Sequence, residues 1–455
     1  MFNQVTAAVK QLRAPAATRE DRNIRLLMLE TALAGAEYAG IFTFLPVFLV
    51  RLGASPVTVS LLTALPSLMA VLFALLGGAL AVRWRHIVHE SARWFWVMRL
   101  CYLGICAAVL LAPPIATPAI VILLGLSAIP GTIGSTVFYD VLADAVSPQS
   151  RPLVNGARWA LLGLTAAVGV AIFGQLLAAL PTPAGYLLVF ALSCGCGLLS
   201  TWFYSRLEVP ERSLQPAAAA RSSWQARAAA FLQPITAGGR FAIYLGVTAV
   251  MRVGFFLPSG IWTVFLVRNL GASDSWIGWR MTTENLALTV GYYLWGRIAS
   301  RRGHAGMFAL VSLVLGACTI ATSLVTREVR WVLFILAVCS GFFYPGIEVS
   351  LFEGLLDAMP ADRRPRYVAI NTALANVIAF AAPIAGASLA EWIGIPQVMA
   401  IGGVSLVICA ALARLFLMAR PAGMPVQERA ADGASDPAAP GASALTGPCA
   451  APDSL

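Results

Sequence analysis

Five charged side chains, Glu37, Arg252, Arg280, Glu284 and Glu348, stand inside long apolar stretches of the chain. An ionisable group at the centre of a bilayer costs at least about 2.5–3.5 kcal/mol on insertion scales, so it faces a cavity, pairs with a partner or serves transport. A carboxylate held there can take up and release a proton. A guanidinium there can hold a carboxylate or an anionic solute. Arg280 and Glu284 are four residues apart and can meet along one helical face, which reads as an internal structural pair. Glu30 lies seven residues before Glu37 on the same helical face. His86, His89 and Glu90 form a thin cluster read as loop residues, and Cys194 and Cys196 read as small apolar core residues, so no metal is assigned.

The stretches that carry these charges set the class of protein. Of 455 residues, 59% are hydrophobic and 11% are charged. A soluble domain carries about 25% charge, so a soluble enzyme, a nucleic-acid-binding protein and a disordered chain are excluded. Twelve apolar stretches are each long enough to cross a bilayer, at 26–50, 57–82, 94–112, 117–143, 153–180, 184–205, 241–267, 275–300, 305–325, 331–356, 367–392 and 396–419. Their continuous apolar character, without alternation, predicts helices and not a barrel. Residues 1–25 are basic and lack the apolar core of a signal peptide. Residues 206–240 form a polar connector, in which Trp224, Ala228, Phe231 and Leu232 predict a helix at the membrane interface. Residues 421–455, rich in Ala, Pro, Gly and Ser, predict a disordered tail.

The net charge of +10 reads as an orientation signal. Arg51, Arg268, Arg327 and Arg330 are the basic residues of the loops on one side, and most others flank the opposite ends of the stretches. The positive-inside rule then places both termini and the connector in the cytoplasm. Lys10 is the only lysine, which fits a GC-rich bacterial genome and a bacterial plasma membrane.

The chain repeats itself. Phe48-Leu49-Val50-Arg51 is followed by LGAS from Leu52. Phe265-Leu266-Val267-Arg268 is followed by one Asn and then LGAS from Leu270. From there the halves align at an offset of 218, with Gly78 on Gly296, Arg83 on Arg301 and His86 on His304. At an offset of 213, Asp140 falls on Glu353, Asp144 on Asp357 and Arg151 on Arg364. Matched charges at fixed offsets in two loops are not a product of apolar composition.

Two six-helix halves joined by a connector resemble the major facilitator superfamily of secondary transporters over residues 24–420. The family pattern after the second helix of each half is matched in degenerate form by Gly78, Val82 and Arg83, and by Gly296, Ser300, Arg301 and Gly303. Its acidic position is Val82 and Ser300, so that loop's usual carboxylate contact is lost in both halves. The fifth stretch, read from Trp159, has no proline before Pro181, which departs from the pattern of drug antiporters; Pro383 and Gly386 occur in the eleventh.

The resemblance implies an all-α polytopic membrane protein with twelve transmembrane helices, arranged as bundles at 26–205 and 241–420. It implies a central cavity lined by the first, fourth, seventh and tenth helices, with the solute bound between the halves. On that frame Glu37 and Arg252 are expected to pair across the interface between the halves, either as a proton-coupling device or as a static brace. Glu348, opposite Ser135 in the repeat, is a candidate for substrate binding or coupling. Tyr38, Phe42, Phe44, Tyr139, Phe255, Phe256, Trp262, Phe342, Phe343 and Tyr344 are candidate cavity walls, and Pro46, Pro130, Pro258 and Pro345 place one bend in each cavity helix. Asp140, Asp144, Glu353 and Asp357, with Arg158 after them, are expected to form a cytoplasmic gate, or a merely solvated helix end. The expected activity is proton-coupled export of a small organic solute by a monomer in membrane lipid, with no cofactor, no nucleic acid and no enzymatic step. Import of a nutrient or organic anion, and a non-transporting scaffold or receptor, are the alternatives.

Overall fold

The computed structural model describes residues 18–212, 233, 235, 238–302, 304–360 and 364–417, with the side chains at 152, 296, 297, 299–302, 304, 364 and 365 left undescribed. Twelve long helices follow one another: α1 (Arg19–Arg51), α2 (Pro56–Ala81), α3 (Ile87–Ala108), α4 (Pro113–Ala145, interrupted at Thr136 and Val137), α5 (Arg151–Ala179), α6 (Ala184–Ser205), α7 (Arg240–Val264), α8 (Asp274–Arg302), α9 (His304–Ser323), α10 (Val332–Ala358), α11 (Arg364–Ile393) and α12 (Ile395–Leu412). Ten of them satisfy length and apolarity for a membrane span. α3 and α8 complete the set, and both carry charge inside the span, Arg99 in one and Arg280 with Glu284 in the other.

Two helices begin earlier than hydropathy indicates. α1 starts at Arg19 because Thr18 and Asp21 form a capping box, with bonds of 3.1 Å and 3.2 Å. α3 starts at Ile87 and not near 94, because the helix runs through His89, Glu90 and Arg93, which an apolar window does not register. The expected interfacial helix around Trp224 and the tail after 420 lie outside the described residues.

The packing repeats as the sequence does. α1 packs on α5 and α6, α2 on α4, and α3 on α4 and α6. In the second half α7 packs on α11 and α12, α8 on α10, and α9 on α10 and α12. The halves meet through α5 with α8 and α2 with α11, which are equivalent pairs under the repeat. At the first crossing Gly174 and Gly278 face each other, the Thr282 hydroxyl donates to the Ala167 carbonyl at 3.1 Å, and Gln175 donates to Ser275 at 2.8 Å. Small residues let two backbones approach and form such bonds. A Cβ on Gly278 would stand 3.0 Å from the Val170 carbonyl oxygen and 3.1 Å from the Gly174 Cα, both main-chain atoms. Gly278→Val is therefore expected to overpack this crossing by about 1–3 kcal/mol. It should lower the disulfide yield between cysteines placed at Gln175 and Ser275; an undiminished yield would show that the crossing is loose.

The one-residue insertion in the repeat, Asn269, has a structural counterpart. At the end of α1, Leu52 N donates to Phe48 O and Ala54 N to Leu49 O. At the end of α7, Leu270 N donates to Phe265 O and Ala272 N to Leu266 O. Donors and acceptors are equivalent, and the extra residue is absorbed in a π-helical turn over Phe265–Asn269. The insertion bulges the helix and leaves the following loop in register.

Large apolar side chains lie exposed along the helices, among them Leu103, Ile115, Leu192 and Trp392. In water this would be an aggregation surface; in a bilayer it is the lipid-facing one. The buried core is distributed unevenly. Toward the α1–α2 and α7–α8 loops, hereafter the far face, one continuous cluster joins Phe48, Ala54 and Val170 of the first half to Leu257, Phe265 and Ala272 of the second. Toward the connector face the core divides, with Leu27, Ile87 and Val141 in one cluster and Val247, Leu355 and Ile370 in two others, each within its own half.

Candidate functional site

Glu37 does not reach Arg252. It is buried and paired with Arg99 of α3. Arg99 also donates through Nε to the Gly197 carbonyl at 3.1 Å and to the Thr201 hydroxyl at 3.3 Å, both on α6. Its guanidinium lies 5.5 Å from the Tyr102 ring centroid. The pair thus ties α1, α3 and α6 together inside the first half. Gly197 makes room for it, since a Cβ there would press on the Glu37 carboxylate. The expected interfacial pair is replaced because α1 turns Glu37 toward its own bundle, where Arg99 already stands.

Arg252 is buried in the second half. It donates to the Thr248 hydroxyl at 3.0 Å and to Asn371 Oδ1 of α11 at 3.1 Å, both uncharged oxygens. Glu348 of α10 is exposed, accepts from the Tyr344 hydroxyl at 3.2 Å, and lies within electrostatic reach of Arg252 and Tyr292. Tyr38 of α1 is in the same kind of reach of Glu284 and Tyr344, so these groups share the space between the halves.

Arg280 and Glu284 do pair, at 2.8 Å, with the Arg280 side chain only 4% exposed. The Arg280 guanidinium lies 4.7 Å from the Trp262 ring centroid, and Ser340 of α10 donates to Glu284 Oε1 at 3.2 Å. The Arg280 Nε is buried without an acceptor. The pair lines a cavity of about 350 Å³ between α7, α8, α9 and α10, together with Phe255, Ser259, Trp262, Thr319, Thr322 and Tyr344.

Of the remaining aromatic candidates, Tyr38 and Phe42 are half-exposed and stacked at 5.4 Å. Phe44 is fully buried, and Phe342 and Phe343 pack on Trp295, so these three are core and not cavity wall.

At the far face the repeated FLVR and LGAS segments engage reciprocally. Arg51 Nη2 donates to the Ala272 carbonyl at 2.7 Å, and Arg268 Nη2 donates to the Ala54 carbonyl at 2.6 Å. Each arginine thus caps the equivalent alanine of the other half. Arg51 additionally pairs with Asp274 at 2.9 Å, which the Tyr186 hydroxyl also bonds at 2.9 Å. Arg327 and Arg330 donate to carbonyls of Arg268, Asn269 and Gly271. Of the four arginines on the sparsely charged side, Arg51 and Arg268 bridge the halves, and Arg327 and Arg330 hold the segment from Arg268 to Gly271 from within the second half. Sequence reading missed that role, although the repeat carried the signal.

At the connector face two of the charged residues expected to form a gate pair with the first half or the connector. Asp140 pairs with Arg212 at 2.7 Å. Arg158 pairs with Glu30 at 3.2 Å, donates to Thr31, and stacks 4.6 Å over Phe138. Asp144, Glu353 and Asp357 are exposed. In the loop motif, Gly78 stands against open space and Arg83 is exposed. The side chains at Gly296 and Arg301, and all of Gly303, lie outside the described residues. Glu90 is taken by Arg93 at 2.8 Å, and among the described residues no three metal-ligating side chains converge.

A family model described as Major Facilitator Superfamily matches residues 27–259 and 244–449. No curated protein matches the chain. Among solved structures, a mutant of the nucleoside transporter NupG superposes with a TM-score of 0.64 at 13% identity, covering 86% of this chain and 99% of that one. A bacterial homologue of the human lysosomal transporter Spinster, described as inward-facing and unoccupied, gives 0.61 at 16% identity, covering 90% and 100%. At these identities the likeness is one of fold.

Proposed function

The chain belongs to the Major Facilitator Superfamily, and from that premise we propose that it moves a small organic solute by alternating access, driven by a proton gradient. The observation that carries this reading is the uneven core. The halves are fused into one buried cluster at the far face and separate at the connector face. A protein that alternates must present such a half-closed form and its inverse. The structural relatives described as a nucleoside transporter and an inward-facing lysosomal-type transporter agree with it in kind. In this reading the connector face is cytoplasmic, residues 26–205 and 241–420 are the two rocking bundles, and Asp140, Asp144, Glu353 and Asp357 pair across the halves in the opposite form.

Glu348 is the coupling acid we favour. It is exposed, bonded only to a tyrosine hydroxyl among the contacts described, and near the Arg252 charge, so it can exchange a proton with the cavity. Glu37 is paired with Arg99 and acts as a brace. In proteoliposomes screened with a panel of metabolites and drugs, Glu348→Gln should abolish gradient-driven flux while leaving solute exchange intact. Full gradient-driven flux in both Glu348→Gln and Glu37→Gln would remove the proton role, and no flux of any compound by the wild type would leave a scaffold. The sign of the gradient that drives accumulation reads the direction of transport.

A further inference from the structure

We propose that the cavity between α7, α8, α9 and α10 binds a small planar ring compound of no net charge that carries an adjacent hydrogen-bond donor and acceptor, such as an amide edge. Calling this compound the transported solute rests on the transporter reading; the binding site itself does not.

Five observations select that chemistry. The cavity, about 350 Å³, is at the small end of the range for organic ligands. Its two charges, Arg280 and Glu284, already neutralise each other at 2.8 Å. A ligand of net charge would enter without a counter-ion left free to meet it. The Arg280 Nε is buried without an acceptor, an unmet donor that is costly, and a turn of the guanidinium that lines the cavity would offer it to a ligand oxygen. Glu284 accepts from Arg280 and from Ser340, and a carboxylate has lone pairs beyond those two. A ligand N–H can therefore lie next to the ligand oxygen that meets Nε. Phe255 and Tyr344, edge to face at 5.8 Å, and Trp262 supply the aromatic wall against which a ring packs.

The repeat shows that the fold does not require this pair. At the offset of 218 the positions of Arg280 and Glu284 are Leu62 and Pro66 in α2. α2 packs on α4 as α8 packs on α10. The same helix pairing forms with an apolar pair of residues, so the charged pair answers a need that only the second half has.

The test measures equilibrium binding of radiolabelled nicotinamide, a neutral ring amide, to the purified full-length protein. Uracil is expected to compete, while benzoate and benzylamine, with ring and net charge, are not. Arg280→Gln and Glu284→Gln should each weaken binding by at least roughly tenfold, the loss of one hydrogen bond to a charged group. Arg280→Lys keeps the charge and the pairing with Glu284 but lacks Nε; it should show the same loss at an unchanged thermal midpoint, which separates binding from folding. Absence of saturable nicotinamide binding at millimolar concentration, equal competition by benzoate or benzylamine, or undiminished binding in Arg280→Lys and Arg280→Gln overturns the proposal. Binding of nicotinamide without flux of any compound in liposomes leaves the site standing and removes the transporter reading; flux of a compound without nicotinamide binding does the reverse.

Discussion

Arg99→Met is expected to lower the thermal midpoint of the purified protein more than any other single change considered above. The variant leaves Glu37, 4% exposed, as a buried carboxylate without its cation. Breaking a buried pair on one side costs about 3–5 kcal/mol, whereas replacing both partners by apolar residues of similar volume is close to neutral. The double variant Glu37→Leu/Arg99→Met should therefore recover most of the loss. It should still transport under a pH gradient if Glu348 carries the coupling. Arg99 also satisfies the Gly197 carbonyl and the Thr201 hydroxyl, so the recovery will be incomplete by the worth of those bonds. A single variant as stable as the wild type would mean that water reaches Glu37. A double variant as unstable as the single one would locate the cost in packing and not in charge.

Arg51→Ala combined with Arg268→Ala should open the far face. Each arginine donates to a carbonyl of the opposite half, at 2.7 Å and 2.6 Å. Hydrogen bonds from charged donors contribute about 1.5–3 kcal/mol each. Arg51 is one-third exposed, so the lower figure applies, and the two together shift the balance between closed and open far faces by roughly a hundredfold. Arg51→Ala alone should act more strongly than Arg268→Ala, because it also breaks the pairing with Asp274, which has Pro56 as its counterpart in the other half. Distances between spin labels on the α1–α2 and α7–α8 loops read the outcome. A closed distance distribution that persists in the double variant would show that the apolar cluster around Phe48 and Phe265 seals this face unaided.

Most of the architecture was legible because hydropathy is a sum over neighbours in the chain. The twelve spans, the two halves and their equivalences follow from apolar length and matched charges, and α2, α6 and α9 fall within a few residues of the expected bounds. Where bounds moved, local polar chemistry was responsible: the Thr18 capping box extends α1, and a polar first turn extends α3. The π-helical turn was present in the sequence as one Asn too many between two copies of a motif. The site was less legible. Glu37, Arg252, Arg280, Glu284 and Glu348 stand out in the sequence as deep charges, but nothing there singles out Arg99, the partner that decides what Glu37 does.

By itself the sequence determined that this chain lies in a membrane, how many times it crosses and that it crosses as two copies of one unit. These properties depend on the cost of transferring consecutive residues into hydrocarbon, which neighbours in the chain settle together. Only the tertiary structure decided the partners: Glu37 with Arg99, Arg51 with Ala272 and Asp274, Arg280 with a cavity. A repeat establishes which residues are equivalent, not which ones touch. Contact depends on the rotation of each helix about its axis and on which helices are adjacent, and residues as far apart in the chain as Arg51 and Asp274 are joined only once that packing exists.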